Sequence, residues 1–126
     1  MKKLDTIKSK LLRVKNIQEA LLRLGFKKKQ CDCLSKYIFV HKRKRIVVKC
    51  PYISPYSTPD KEDIVPLVSF SRKNGSVWFI QPLVKVDKKS RDKAFFRLNG
   101  KYHFANVDLH VNNVGMYRNK AVLIDW

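Results

Sequence analysis

Val65-Pro66-Leu67-Val68-Ser69-Phe70-Ser71-Arg72-Lys73-Asn74-Gly75-Ser76-Val77-Trp78-Phe79-Ile80-Gln81-Pro82-Leu83-Val84 is the stretch whose reading decides the fold class. Two apolar, β-prone runs, Val65 to Ser71 and Ser76 to Val84, flank Lys73-Asn74-Gly75, where Asn-Gly supplies the positive φ angles of a tight turn. The expected element is a β-hairpin. Pro82 has no N–H to donate, so the second strand should leave the sheet there or lie at its edge.

Upstream, Pro51, Pro55, Pro59 and Pro66 punctuate residues 51–66 and deny any long helix, because each proline removes a donor and restricts its predecessor. A loop is expected, with one helical turn at Asp60 to Asp63. Before it, Lys36 to Val40 and Arg45 to Cys50 read as a second hairpin across His41-Lys42-Arg43-Lys44, a strongly basic tip. Lys27-Lys28-Lys29 precedes it. These charges could form one cationic face, and like charges also keep an exposed edge from aggregating.

At the front, Ile7, Leu11, Val14, Ile17, Leu21 and Leu24 recur at steps of three and four, the period of an amphipathic helix. One helix over 5–25 is expected, capped by Asp5 or Thr6 and ended by Gly25. Its basic face reads as solvated, with phosphate contact as the alternative. Downstream of the central hairpin, a short helix around Ser90 to Leu98 should stop near Asn99-Gly100. Val114 to Tyr117 and Ala121 to Ile124 read as a last hairpin. The expectation is a single α+β domain over 1–126: helix 5–25, antiparallel sheet 36–86, then short helix, loop and hairpin over 87–126.

The totals agree with a folded domain. The chain has 126 residues, 44% of them apolar, too rich in core-forming side chains for disorder. Basic residues number 28 against 10 acidic, a net charge of +18. Residues 1–49 hold 16 basic and 3 acidic residues, net +13, whereas residues 50–126 hold 12 and 7, net +5. Such a field favours polyanions, and its weight falls on Lys27, Lys28, Lys29, Lys42, Arg43, Lys44 and Arg45. Three cysteines, Cys31, Cys33 and Cys50, are odd in number and two are nearly adjacent, which argues against a disulfide framework. Their spacing with His41 matches no usual zinc site. No apolar run approaches the about 20 residues a membrane span needs, and no signal peptide is evident. A cytoplasmic location and no membrane partner are expected. Trp78, Phe79, Phe95 and Phe96 could stack on bases, but aromatics in such runs read first as core.

The last nineteen residues carry the chemical signal. Asp108-Leu109-His110-Val111-Asn112-Asn113 is followed, after a hairpin, by Leu123-Ile124-Asp125-Trp126. An Asp, an Asn five residues later and a further Asp is a set of hard oxygen donors suited to Mg²⁺ and a proton acceptor for phosphoryl transfer. Here the chain resembles the protein kinase and aminoglycoside phosphotransferase superfamily, whose catalytic loop and metal-binding Asp have the same order and spacing. The resemblance implies Asp108 as the catalytic proton acceptor, and Asn113 and Asp125 as metal ligands that also hold the nucleotide. It implies ATP and Mg²⁺ as cofactors. Lys36 to Lys49 is similar to the second and third strands of a kinase amino-terminal lobe, with Lys49 at the phosphate-binding position. Ile64 to Ser71 and Val77 to Val84 look like its fourth and fifth strands, with Gln81 to Val84 at the adenine hinge. Reduced proteins of this kind look like some encoded by tailed bacteriophages.

The chain departs from that family in several places. No Gly-rich loop precedes Lys49, Glu62 is the one candidate for the Glu that would pair with it, and Asn106 stands where the family usually has His. Trp126 closes the sequence before any carboxyl-terminal helical lobe. The expectation is therefore a reduced kinase-like protein, with a vestigial or minimal nucleotide and Mg²⁺ site and little or no phosphotransferase activity. The alternative is a basic module that binds nucleic acid or an acidic protein through its Lys- and Arg-rich front half.

Overall fold

The computed structural model of the chain describes residues 2–29, 35–51, 61–84, 87–102 and 114–124. The architecture is α+β, as the hairpin pattern predicts. In chain order the elements are α1 (Lys2–Leu11), α2 (Ile17–Arg23), β1 (Lys27–Lys29), β2 (Ser35–His41), β3 (Ile46–Pro51), a 3-10 turn (Lys61–Asp63), β4 (Val68–Ser71), β5 (Val77–Pro82), α3 (Lys88–Tyr102), β6 (Val114–Tyr117) and β7 (Lys120–Leu123). They belong to two compact units. Unit 1 is Met1–Ile53 with Pro66–Leu83, and unit 2 is Ser54–Val65 with Val84–Trp126.

In unit 1 the strands form one antiparallel sheet in the order β1-β2-β3-β5-β4. Side chains alternate between its faces, and the register sorts them. Phe39 pairs with Val48, Val48 with Ile80 and Ile80 with Val68, so these share the face that α1 and α2 cover. Leu4, Ile7, Leu11, Ile17 and Leu21 close over it, and Phe26, Phe70 and Trp78 fill the margins. Each large side chain removed from water there contributes about 1.5–3 kcal/mol. The other face carries Ile38, Val40, Val47 and Phe79, all half-buried, around two buried polar residues, Lys49 and Gln81.

The apolar stripe at the front is continuous, yet it forms two helices and not one. α1 ends at Leu11, and α2 begins after Asn16, whose backbone is extended (φ −123°, ψ 105°) and whose side chain accepts from Glu19 N–H at 3.1 Å. Arg72 stabilises the break from the far side of the sequence. Its guanidinium donates to the carbonyls of Leu11 (3.5 Å), Leu12 (3.1 Å), Val14 and Lys15 (3.3 Å), at and just beyond the end of α1, where backbone carbonyls lack the bonds of a continuing helix. A cation there also meets the negative end of the α1 dipole. α2 ends as expected at Gly25, whose φ is +94°. Phe26 N–H donates to Leu21 (3.0 Å) and Gly25 N–H to Leu22 (3.1 Å), the pattern of a glycine-terminated helix.

The central hairpin forms where expected, with a different division of labour in its loop. Of Asn74 and Gly75, Gly75 alone takes a positive φ, +87°. Asn74 instead accepts at Oδ1 from the N–H of Ser76 (3.0 Å) and from its hydroxyl (2.7 Å). Pro82 ends β5 but not at a sheet edge, because β5 lies between β3 and β4. The chain continues hydrogen-bonding one residue later, Leu83 N–H to Arg45 carbonyl at 2.8 Å. β1 had no counterpart among the expected elements. Three lysines form an edge strand by pairing with β2.

In unit 2, Asp87 caps α3 by accepting from Ser90 N–H at 2.8 Å. α3 buries Ala94, Leu98 and Tyr102 with Val114, Ala121 and Leu123 of the β6–β7 hairpin. The expected stop at Asn99-Gly100 does not occur. A helical Gly costs about 1 kcal/mol against Ala, and the contacts of the last turn outweigh it. Tyr102 is buried, its hydroxyl donates to Asp63 Oδ2 at 2.5 Å, and Lys101 Nζ lies 2.7 Å from the same oxygen. Between β6 and β7, Arg118 and Asn119 both take positive φ, 49° and 64°, as a two-residue hairpin loop of matching twist requires. Val65, Val84 and Val122 form a second small cluster, and Val65 N–H donates to Leu123 carbonyl at 3.0 Å.

Candidate functional site

The basic residues of the front half converge because of strand register. Antiparallel pairing sets Lys27 opposite Val40 and Lys29 opposite Ile38, so β1 begins beside the point where β2 enters its turn. That turn is Lys42, Arg43, Lys44 and Arg45, between the paired residues His41 and Ile46. Lys42, Arg43 and Arg45 are exposed, and Lys44 is half-buried. Between Glu19 and Asp60 the sequence has ten Lys and Arg and one acid, Asp32. Little negative charge is therefore available locally to neutralise the group.

The three lysines of β1 divide. Lys27 and Lys29 point to the sheet face away from the helices, whereas Lys28 points to the other face, with Nζ 5.1 Å from the Tyr37 ring centroid. The Tyr37 ring in turn stacks on Trp78 at 5.9 Å and 5°. Lys28 is thus engaged with an aromatic pair, while Lys27 and Lys29 extend the cationic edge.

The basic turn is braced by His41. Its Nδ1 accepts from Lys44 N–H at 3.1 Å, and its ring meets Phe26 edge-on at 5.2 Å and 79°. A Cβ on Gly25 would come within 3.1 Å of His41 Nε2, so the ring fits closely against the α2 terminus. Arg45 closes the turn with φ 58°, a conformation L-residues adopt at a cost. Four cationic side chains are in this way carried on a turn whose conformation is tied to the core. In the sequence His41 reads as part of the tip and as a weak zinc candidate with the cysteines, not as a brace. A ring one residue before a four-residue loop was the available signal.

Lys49 lies on β3, 4% exposed, on the same face as Lys27 and Lys29. It shares one row across the sheet with Lys29, Ile38, Phe79 and Ser69, and Gln81, 1% exposed, lies in the next row opposite Val47. A charged amine so deeply buried is kept only where polar surroundings compensate its desolvation. Asp108, Asn113 and Asp125, together with Asn106, His103 and His110, lie outside the described residues. So do Cys31, Asp32 and Cys33, whereas Cys50 is buried in the unit 1 core. Glu62 is exposed, with Oε1 3.3 Å from Lys101 Nζ.

In unit 2 the Asp63 carboxyl is displaced. Burial alone would raise the Asp63 carboxyl, but hydrogen bonds from Lys101 and Tyr102 and the charges of Lys101 and Lys120 outweigh it and hold it below its ordinary value of 3.8. This group ties the 3-10 turn to α3.

The four aromatics separate. Trp78 is core, Phe79 and Phe95 are half-buried, and Phe96 is 83% exposed, contrary to the core reading. Successive residues of a helix are 100° apart, and Ala94, Leu98 and Tyr102 define the inward side, so Phe96 faces away. The chain matches no protein-family model, none of the curated proteins and no solved structure. Among the described residues, no helix is long and apolar enough to cross a membrane.

Proposed function

We propose that unit 1 binds nucleic acid by its phosphate backbone, through the edge formed by β1 and the β2–β3 turn. The observation that carries this reading is the register of Lys27 and Lys29 beside the braced turn of Lys42 to Arg45. Backbone phosphates are recognised by cations that need no further chemistry, and each neutralised phosphate releases counterions. Binding to a duplex of about 20 base pairs should weaken steeply with salt. The Lys42→Glu, Arg43→Glu, Lys44→Glu triple variant should lower affinity more than about tenfold and reduce the log–log salt slope by roughly 2–3. Affinity that ignores both salt and the triple variant would sink the proposal, and preference for a polyglutamate chain over the duplex would move it to an acidic protein.

A second reading rests on Lys49. Its burial on the third strand of an antiparallel sheet, beside Gln81 at the end of β5, supports the kinase-like interpretation, in which the phosphate-binding Lys stands on such a strand. On that reading Lys49, Asn113 and Asp125 hold ATP and Mg²⁺, Asp108 is the residual catalytic position, and phosphotransfer is weak or absent. Millimolar ATP with Mg²⁺ should raise the melting temperature of the chain, and Asp125→Ala should abolish the shift. An unchanged melting temperature removes this reading and leaves the first intact.

A further inference from the structure

α3 has an outward face that neither proposal uses. Lys89, Lys93, Phe96 and Arg97 follow one another at helical spacing, all exposed, over about 12 Å of helix. Phe96, at 83%, is by far the most exposed large apolar side chain among the described residues; Leu22 follows at 56%. The ring therefore forms an apolar point within a cationic face. The one acid of α3, Asp92, lies a turn before Phe96.

Gly100 supplies an independent observation. Helical side chains lean toward the amino terminus, so a residue four positions on covers the surface beside its predecessor. The residue four positions after Phe96 is Gly100, and a Cβ built there meets no heavy atom within 4 Å. Among the described residues no packing constraint calls for glycine at that point, and its φ is not positive. This glycine places no side chain beside Phe96, at a cost in helix stability.

We propose that this face is a base-stacking site for single-stranded nucleic acid. Phe96 takes the flat face of one unpaired base, Gly100 leaves room for it, and Lys89, Lys93 and Arg97 hold the flanking phosphates. A partner carrying flat apolar faces between regular negative charges meets both features of the patch, whereas an acidic peptide meets only the charge. The site belongs to unit 2 and does not depend on the unit 1 surface.

The test uses the full chain and fluorescein-labelled twelve-residue oligothymidine, oligouridine and a twelve-base-pair duplex, followed by anisotropy. Phe96→Ala should weaken both single strands about 5- to 100-fold, the range that one lost stacked base commands, and leave the duplex within twofold. Gly100→Met should weaken single strands in the same way while raising the melting temperature, a combination that unfolding cannot produce. Phe96→Tyr should retain binding. The proposal is overturned if Phe96→Ala changes single-strand affinity less than twofold, if duplex affinity falls equally, or if polyglutamate competes as well as oligothymidine. Loss of duplex binding in the Lys42, Arg43 and Lys44 variant with single-strand stacking intact separates this site from the unit 1 surface. Loss of duplex binding in that triple variant, with Phe96→Ala leaving single-strand binding unchanged, would retain unit 1 and remove this site.

Discussion

Unit 1 and unit 2 both set helices on antiparallel strands, and they distribute apolar and polar contacts differently. Among the described residues, unit 1 buries thirteen apolar side chains in one continuous cluster, from Leu4 to Ile80, whereas unit 2 buries six around α3 and three more around Val65. In unit 1 the guanidinium of Arg72 acts at a backbone ending, on the carbonyls from Leu11 to Lys15. In unit 2 a carboxylate acts between elements, Asp63 holding Tyr102 and Lys101. Where apolar area is ample, charge is needed only to complete hydrogen bonds that packing cannot supply. Where it is scarce, a partly buried ionic contact helps to position the helix.

The largest effect that would break this contrast is at Arg72. Arg72→Ala removes charged donors from four carbonyls and should cost about 2–3 kcal/mol in urea unfolding. Exchange protection should be lost first in α1 and α2. Arg72→Lys should rescue only part of it, since one ammonium cannot serve carbonyls spread over residues 11–15. A cost no larger than that of the Asp63 variant would mean that the break between the helices stands without the guanidinium.

Asp63→Asn should cost about 1–2 kcal/mol, read as faster amide exchange in α3, because Lys101 and Tyr102 lose a charged acceptor. The pH dependence fixes the sign. Since the folded carboxyl lies below its ordinary value of 3.8, its stabilisation is present above about pH 4 and disappears as pH falls through the folded value. The Asn variant should lack that acid limb in α3 protection. Equal acid limbs in variant and parent would remove Asp63 as the tie.

The smallest effect sharpens the comparison from the other direction. Gly100→Ala should stabilise α3 by about 0.5–1 kcal/mol, because the added Cβ meets open space. A loss of stability would show that Gly100 serves a backbone need within unit 2.

Much of this protein was legible because its strands are short-range patterns. The 65–84 and 36–50 hairpins, the 3-10 turn and the last hairpin depend on turn chemistry and alternation within about ten residues, and the structure places each within a few residues of expectation. The stripe from Ile7 to Leu21 is a buried face, as its period predicts, but it is divided between two helices where the period predicts one. Periodicity survives a break of the right length, and the group that stabilises the break lies about sixty residues away. α3 overran Asn99-Gly100 for the same kind of reason, since the contacts that hold its last turn come from Asp63.

Sequence alone determined the α+β class, the basic front half, the hairpin turns and the candidate residues Lys49, Asp108, Asn113 and Asp125. Tertiary structure alone decided that three lysines form an edge strand beside a basic turn, that Lys49 is buried on the face away from the helices, and that Phe96 is left in water. The physical reason is common to all three. Composition sets how much charge and apolar surface a chain has, but strand register and helix phase set which of those groups share a face.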